Sequence, residues 1–345
     1  MKALVMTDYK SFEVQDVPAP TVGSNDVLVR VKACGICGSD VHGMDGSTGR
    51  RRPPIVMGHE ASGLVEQVGP DVTQFHPGDR VTFDSTIYNP DSFFSRRGLV
   101  NLCDDRRVLG VSCEDYRRHG AFAELVSVPG HIVYTLPAAM TYEQAAMIEP
   151  VSIAVHAIHL TPIAAGDSAL VLGAGLIGLM AVQVLKQTAV KQIIAVDVDP
   201  LRLGVAKELG ATHVVDSSAG DVATQVKALT EGRGADVAFE AVGIDATVRA
   251  AIASVRKGGT VTLIGNLSPD VSLPLQSVVT RQIRLQGSCA SSGEYPECID
   301  LISSGKVNVD RFISATAPLE DGAEWFNRLY KREPGLMKVL LKPNG

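Results

Sequence analysis

Cys37, His59 and Glu60 offer a thiol, an imidazole and a carboxyl, the donor types that zinc takes in open catalytic sites. A fourth donor, Glu149, stands in the otherwise apolar run Met147-Ile148-Glu149-Pro150, where a carboxylate is costly to bury unless it is paired or bound to metal. Taken singly, Cys37 reads equally as a core thiol and Glu149 as a helix-capping acid. Their joint occurrence ahead of a nucleotide motif favours a metal centre. That motif is Gly173-Ala174-Gly175-Leu176-Ile177-Gly178, the G-x-G-x-x-G of dinucleotide sites. Gly173 makes the tight turn, Gly175 lets the backbone approach a pyrophosphate, and Gly178 lets helix and strand pack closely. Asp197 ends the next strand, nineteen residues after Gly178, where its carboxylate can accept from ribose hydroxyls and repel a 2'-phosphate. With Asp199 as a second acid, NAD is favoured over NADP. Val242 and Gly265 belong to segments that close later strands and are assigned to the same cofactor, although Gly243 and Gly265 also read as ordinary turn glycines.

Those residues need elements to hold them. Residues 1 to about 150 carry short β-branched runs, among them Val27–Val31 and Gly63–Val68, punctuated by prolines, which predicts an all-β, barrel-like domain with long loops. From about 167 the rhythm changes. Strands are predicted at Ala169–Leu172, Gln192–Asp197, His213–Val215, Ala235–Glu240 and Thr260–Gly265, with helices at Leu176–Gln187, Pro200–Leu209 and Asp221–Thr230. That alternation implies a doubly wound parallel sheet. After about 285 a short helix near Trp325 and a closing strand, Met337–Leu341, return to the first domain. The fold class is α/β, with residues 1–152 and 286–345 in one domain and 153–285 in the other.

A chain of 345 residues with 45% apolar content has the length for two cores, and its net charge of -6 speaks against a nucleic-acid partner, which would meet a basic face. Met1–Met6 is too short an apolar run for a secretory signal, and the fourteen apolar or glycine residues of Ala169–Val182 fall short of the roughly 20 that cross a bilayer. A cytoplasmic protein with no membrane partner is expected, its six cysteines being thiols or metal ligands instead of a disulfide framework.

Together, Gly35-Ile36-Cys37-Gly38-Ser39-Asp40-Val41-His42, Gly58-His59-Glu60 with Gly63 and Gly69, Glu149-Pro150 and Gly173 to Gly178 resemble the motifs of zinc-containing medium-chain alcohol dehydrogenases, polyol (sorbitol-like) branch, along the whole chain. The resemblance implies a GroES-like β-barrel catalytic domain completed by the C-terminal segment, a Rossmann domain for NAD, and an active site between them. It implies that Cys37, His59 and Glu60 touch zinc, with Glu149 in the inner shell directly or through a water. Asp40 would orient His59, and Ser39 and His42 would relay the proton. His42 also reads as a plain loop histidine. A homotetramer or homodimer is implied by the resemblance alone. The expected reaction moves a hydride between a secondary alcohol of a small polyol, sugar acid or sugar phosphate and NAD.

Relatives often hold a closed structural zinc on four cysteines spaced C-x2-C-x2-C-x7-C. Here the first three positions are Asn89, Ser92 and Ser95, with Cys103 alone remaining. One catalytic zinc and no structural zinc is expected, with the lobe held by packing of residues such as Phe93 and Phe94. Sorbitol-type relatives show an Arg-Tyr pair where Ala290 and Ser291 stand ahead of Glu294-Tyr295-Pro296, which argues against sorbitol itself. Arg50-Arg51-Arg52 and Tyr116-Arg117-Arg118-His119 read either as solvated basic loops or as receivers of a substrate carboxylate or phosphate. Rival functions are a threonine-type 3-hydroxy amino acid dehydrogenase and a non-catalytic NAD-binding regulator. Keeping metal donors and relay together speaks against the second.

Overall fold

In the computed structural model, which describes residues 1–113 and 117–344, the chain divides into two compact units, Met1–Glu149 with Ser292–Gly345 and Pro150–Ser291. The first is built on strand Asp26–Gly35, whose Val27, Val29, Val31 and Ala33 are fully buried, the period-two pattern of a strand with one face on a core. It pairs antiparallel with Glu60–Val68 along one side and with Leu125–Pro129 and the C-terminal strand Lys338–Lys342 along the other. The closing strand thus returns to the first unit as expected, with Leu340 and Leu341 opposite Gly35 and Cys34. This sheet continues to Val133–Thr135 at one end and Ile313–Pro318 at the other. A smaller sheet of Ser11–Asp16, Lys2–Asp8 and Ile55–Val56 shares its core, which includes Leu4, Met6, Phe83, Phe122 and Phe326.

The second unit carries six parallel strands in the order His213–Asp216, Gln192–Asp197, Ser168–Leu172, Ala235–Glu240, Val255–Leu263 and Arg284–Gly287. This is the doubly wound order of nucleotide-binding sheets. Ser168–Leu172 is buried along its whole length, which explains its unbroken apolar run, since parallel strands carry helices on both faces. Local signals agree with the sheet. Asp199 caps helix Pro200–Leu209 by accepting from Leu201 N at 2.9 Å, Pro200 fills the first turn, and Gly210, at φ +125°, ends it. The helix predicted to Gln187 stops at Leu185. The strand predicted from Thr260 begins at Val255, which pairs with Ala235 before a register break, the stretch Arg256-Lys257-Gly258-Gly259 bulging out of the ladder. Among the described residues no helix is long and apolar enough to cross a membrane.

Candidate active site

Ligand atoms of Cys37, His59 and Glu60 all lie within 4.8 Å of one another. Two neighbouring strands bring them together. Asp26–Gly35 runs into the turn that carries Cys37, and Gly58, at φ +96°, delivers His59 and Glu60 to the start of Glu60–Val68. A Cβ on Gly58 would press to 2.8 Å from Cys34 Sγ and 2.9 Å from Phe122, so the turn needs glycine on both counts. Glu60 faces Gly35 across the ladder, and a Cβ on Gly35 would collide with Glu60 Oε2.

Each donor is held from behind. Cys37 caps the short helix Gly38–Gly43, its sulfur accepting from Ser39 N at 3.4 Å and from Ser39 Oγ at 3.2 Å, while Cys37 N donates to Asp40 Oδ2 at 3.3 Å. Asp40 is fully buried, its Oδ1 standing 3.6 Å from His59 Nδ1, a buried atom with no hydrogen-bond partner among the described residues. Glu60 receives Lys338 Nζ on both oxygens, at 2.7 and 2.5 Å, and the same ammonium donates to Ile36 O at 3.1 Å. Lys338 and Glu60 are each only 1% exposed. Sequence reasoning missed this lysine. Its only signal is a charge inside the apolar strand Lys338–Lys342, and the pairing of that strand beside Gly35 brings it to Glu60. Glu149, in the first turn of helix Ile148–His159, accepts from Ser85 Oγ at 3.4 Å.

Burial pushes the Cys37 thiol up to about 12, with Glu60 adding to the effect and Lys338 opposing it. Burial likewise pushes the Glu149 carboxyl up to about 8, against the pull of His59. Burial by itself would push Lys338 down, but Glu60 and Cys37 overcome it and hold its ammonium above the ordinary value. A desolvated thiol, an imidazole and two carboxyls gathered in this way fit a divalent ion, which would turn the thiol into a thiolate and offset the carboxylates. Ser39 is exposed and His42 half-buried, and among the described residues no hydrogen bond joins them. Burial, then Arg332, holds the His42 imidazole below its usual range, so it is neutral at pH 7.

In the second unit the glycine turn has the form its spacing predicts. Gly173 lies at φ +94°, a Cβ on Gly178 would collide with Gly173 O, and Gly175 leaves open space before Leu176 and Ile177 begin helix Leu176–Leu185. Such a cradle of backbone N–H groups at a helix start fits a pyrophosphate. Asp197 ties its strand end to this turn, Oδ2 accepting from Ala174 N at 2.6 Å and Oδ1 from Val198 N and Asp199 N at 2.8 and 3.0 Å. Val242 and Gly265 share that corner, since a Cβ on Gly173 would lie 2.5 Å from Val242 Cγ2 and one on Gly265 would collide with Val242 and Gly243. Glu240, fully buried, fixes it by accepting from Val242 N at 3.0 Å and Gly243 N at 2.9 Å.

Residues 23–138 match the profile of an alcohol dehydrogenase GroES-like domain, and residues 177–304 that of a zinc-binding dehydrogenase. Sorbitol dehydrogenase of Bacillus subtilis (strain 168) is 33% identical over 348 residues, covering 100% of this chain and 98% of its own. The chain belongs to the zinc-containing medium-chain polyol dehydrogenase family. L-idonate 5-dehydrogenase of Vitis vinifera is 32% identical to this dehydrogenase over 312 residues, 88% of this chain and 84% of its own. The crystal structure of a zinc-binding dehydrogenase from Sinorhizobium meliloti 1021 bound to NADP matches it at a TM-score of 0.89, with 32% identity and 99% of each chain covered. The family and fold class expected from the motifs therefore hold.

Two expectations need correction. Phe93 meets Phe94 edge-on at 5.2 Å but is 60% exposed beneath the Arg97 guanidinium, so the aromatic pair packs at the surface and does not form the lobe's core. Cys103 lies inside: it is buried, its sulfur accepts from Asn89 N at 3.4 Å, and Ser92 Oγ bonds Ser95 Oγ at 2.8 Å. Burial would push this thiol up, but hydrogen bonds from Ser92, Asn89, Asp105 and Ser95 hold it below its ordinary value. Arg51 is 2% exposed and bonded to Asp40, so it neither coats a solvated loop nor receives substrate. Arg118 donates to Ser127 O at 2.9 Å and His119 Nδ1 accepts from Val56 N at 3.2 Å, which makes both framework residues, while Tyr116 lies outside the described residues.

Proposed function

We propose that this dehydrogenase moves a hydride between a secondary alcohol of a small polyol, sugar acid or sugar phosphate and NAD, at one zinc held by Cys37, His59 and Glu60 with Glu149 beside it. The convergence of three unlike donors within 4.8 Å carries the reading. Zinc there would supply Lewis acidity, lowering the pKa of the substrate hydroxyl. The chain's own groups handle the proton. Ser39 Oγ, exposed and 3.2 Å from Cys37 Sγ, takes it first, and His42, neutral at pH 7, passes it on. Glu149, whose carboxyl ionises only near pH 8 without metal, is the second group able to hold a proton or a water there. Asp197 accepts from the adenosine ribose, Gly173 to Gly178 with Leu176 and Ile177 cradle the pyrophosphate, and Val242 and Gly265 line the same cofactor cleft beside the Gly173 turn. Asp197 and Asp199 would both repel a 2'-phosphate, which supports NAD over NADP.

In this reading the catalytic domain comprises residues 1–152 and 286–345 and the cofactor domain 153–285. Asn89, Ser92 and Ser95 leave the lobe without thiolates for a structural zinc, and Ala290 with Ser291 supports a substrate other than sorbitol. A homodimer or homotetramer is supported by edge strand Arg284–Gly287, which follows a helix with Leu275 and Val279 exposed. Six cysteines with no disulfide among the described residues suit the cytosol. The decisive experiment pairs metal analysis of the purified protein with NAD⁺ and NADP⁺ reduction across polyols, sugar acids, sugar phosphates and hydroxy amino acids. One zinc per chain, with turnover lost in Cys37→Ser and His59→Ala, is expected. NADH binding without zinc would overturn the reading, and threonine as best substrate would redirect it.

A further inference from the structure

We propose that Arg51 is a positioning residue of the metal centre, fixing Asp40 and Ser39 and, through them, His59 and Cys37. The proposal rests on the zinc reading above. Arg51 and Asp40 form an ion pair with side chains 2% and 0% exposed. The guanidinium sends Nε and Nη2 to a single oxygen, Oδ1, at 3.1 and 2.7 Å. That leaves Oδ2 to accept from Cys37 N at 3.3 Å and holds Oδ1 3.6 Å from His59 Nδ1. Nη2 also donates to Ser39 Oγ at 3.2 Å. That bond occupies one lone pair of the hydroxyl and holds Ser39 Oγ 3.2 Å from Cys37 Sγ, to which it donates at rest.

One planar fork therefore stands behind both the sulfur and the imidazole donor. A lysine would keep the charge but lose Nε and the guanidinium plane that fixes the direction of Nη2 toward Asp40 Oδ1 and Ser39 Oγ. The fold makes a place for the arginine stem. A Cβ on Gly43 would lie 2.6 Å from Arg51 Cγ, so glycine at this point of the short helix is what lets the stem run past it. Groups that orient metal ligands from outside commonly set metal affinity by about 10- to 100-fold. Arg51 acts one bond further out, and about tenfold is expected.

The test uses the full-length, metal-stripped protein, titrated with Zn²⁺ against a chromophoric chelator and with Co²⁺ while its thiolate charge-transfer and d–d bands are recorded. Wild type must take up the metal, and if it does not, the zinc reading fails whatever Arg51 does. Given uptake, Arg51→Gln and Arg51→Lys should each weaken zinc binding by about tenfold and shift the cobalt bands. Gly43→Ala, which keeps every charge but displaces the stem, should move both readouts the same way by less. In an Asp40→Asn background, Arg51→Met should add a smaller loss than Arg51→Gln causes in wild type, the remainder being the Ser39 bond. This pair leaves no buried ion unpaired and so covers a single variant that fails to fold. Zinc affinity and cobalt spectrum unchanged in Gly43→Ala and in Arg51→Lys, or tighter binding in any Arg51 variant, would reduce Arg51 to a framework residue.

Discussion

Replacing Lys338 by Met should cost the metal-free protein far more stability than the zinc-loaded one. Lys338 Nζ is the cation facing Glu60, at 2.7 and 2.5 Å, and both side chains are 1% exposed. Removing one partner of such a buried pair costs about 3–5 kcal/mol, because a desolvated charge is left behind. The first unit holds about 200 residues, for which each kcal/mol lowers Tm by about 2–4 °C. The metal-free variant should melt about 6–20 °C early. Zinc beside Glu60 restores a positive neighbour, so the loss then shrinks to the Ile36 O hydrogen bond, about 1 kcal/mol. Thermal melts with zinc and with chelator decide it. Equal losses in both states, or none in either, would refute the idea that Lys338 stands in for a cation at Glu60.

In the metal-free fold Glu149 keeps its proton to about pH 8, whereas unfolded it loses it from about 4.5. Its contribution is therefore complete below about pH 4.5 and is lost as pH rises toward 8, so urea unfolding of metal-free wild type should weaken across that range relative to Glu149→Gln. Zinc uptake at pH 7 should release a proton from the Cys37 thiol, which burial holds up to about 12, and an indicator dye in weak buffer should register one proton fewer for Cys37→Ser. Asp197→Ala removes a carboxylate that accepts from Ala174 N at 2.6 Å, and KM for NAD should rise by about tenfold or more while the preference over NADP narrows. Cys103→Ala should loosen the lobe by about 1–2 kcal/mol, seen as faster proteolysis within residues 89–103, with kcat nearly unchanged.

What was legible in the sequence is what local spacing encodes. Gly173 to Gly178 sit between a buried strand and a helix, and the turn geometry follows from residues a few positions apart. Asp199-Pro200 and Asp221 mark helix starts for the same reason. Cys37, His59 and Glu60 were legible as a set because few other roles use those three chemistries together. Lys338 was not, since it reaches Glu60 across 278 residues through a strand pairing that no local pattern specifies. Arg51 was hidden differently. Flanked by Arg50 and Arg52, both exposed, it reads as one of three basic loop residues until the path of the loop turns it inward. The lobe was half legible: the aromatic pair does meet, but at the surface, while a buried sulfur with small polar neighbours organises the loop beneath it through hydrogen bonds.

The two buried cations share one logic with the two protons. Without metal, the Cys37 thiol and the Glu149 carboxyl are both protonated at neutral pH, and Glu60 and Asp40 are balanced by Lys338 and Arg51, so the centre carries no net charge. A dication entering while thiol and carboxyl each lose a proton leaves the centre neutral again. Desolvation penalises any step that breaks this balance. Lys338 therefore matters most when metal is absent and it covers Glu60; with an ion bound, a Glu149 carboxyl that keeps its proton makes up for the loss of the ammonium. A glutamine at 60 would remove the need for Lys338 but strand that ammonium in the same dry pocket, so the two positions must change together. The prediction from Lys338→Met and the proton count on zinc uptake thus probe one quantity, the charge the pocket tolerates, from opposite sides.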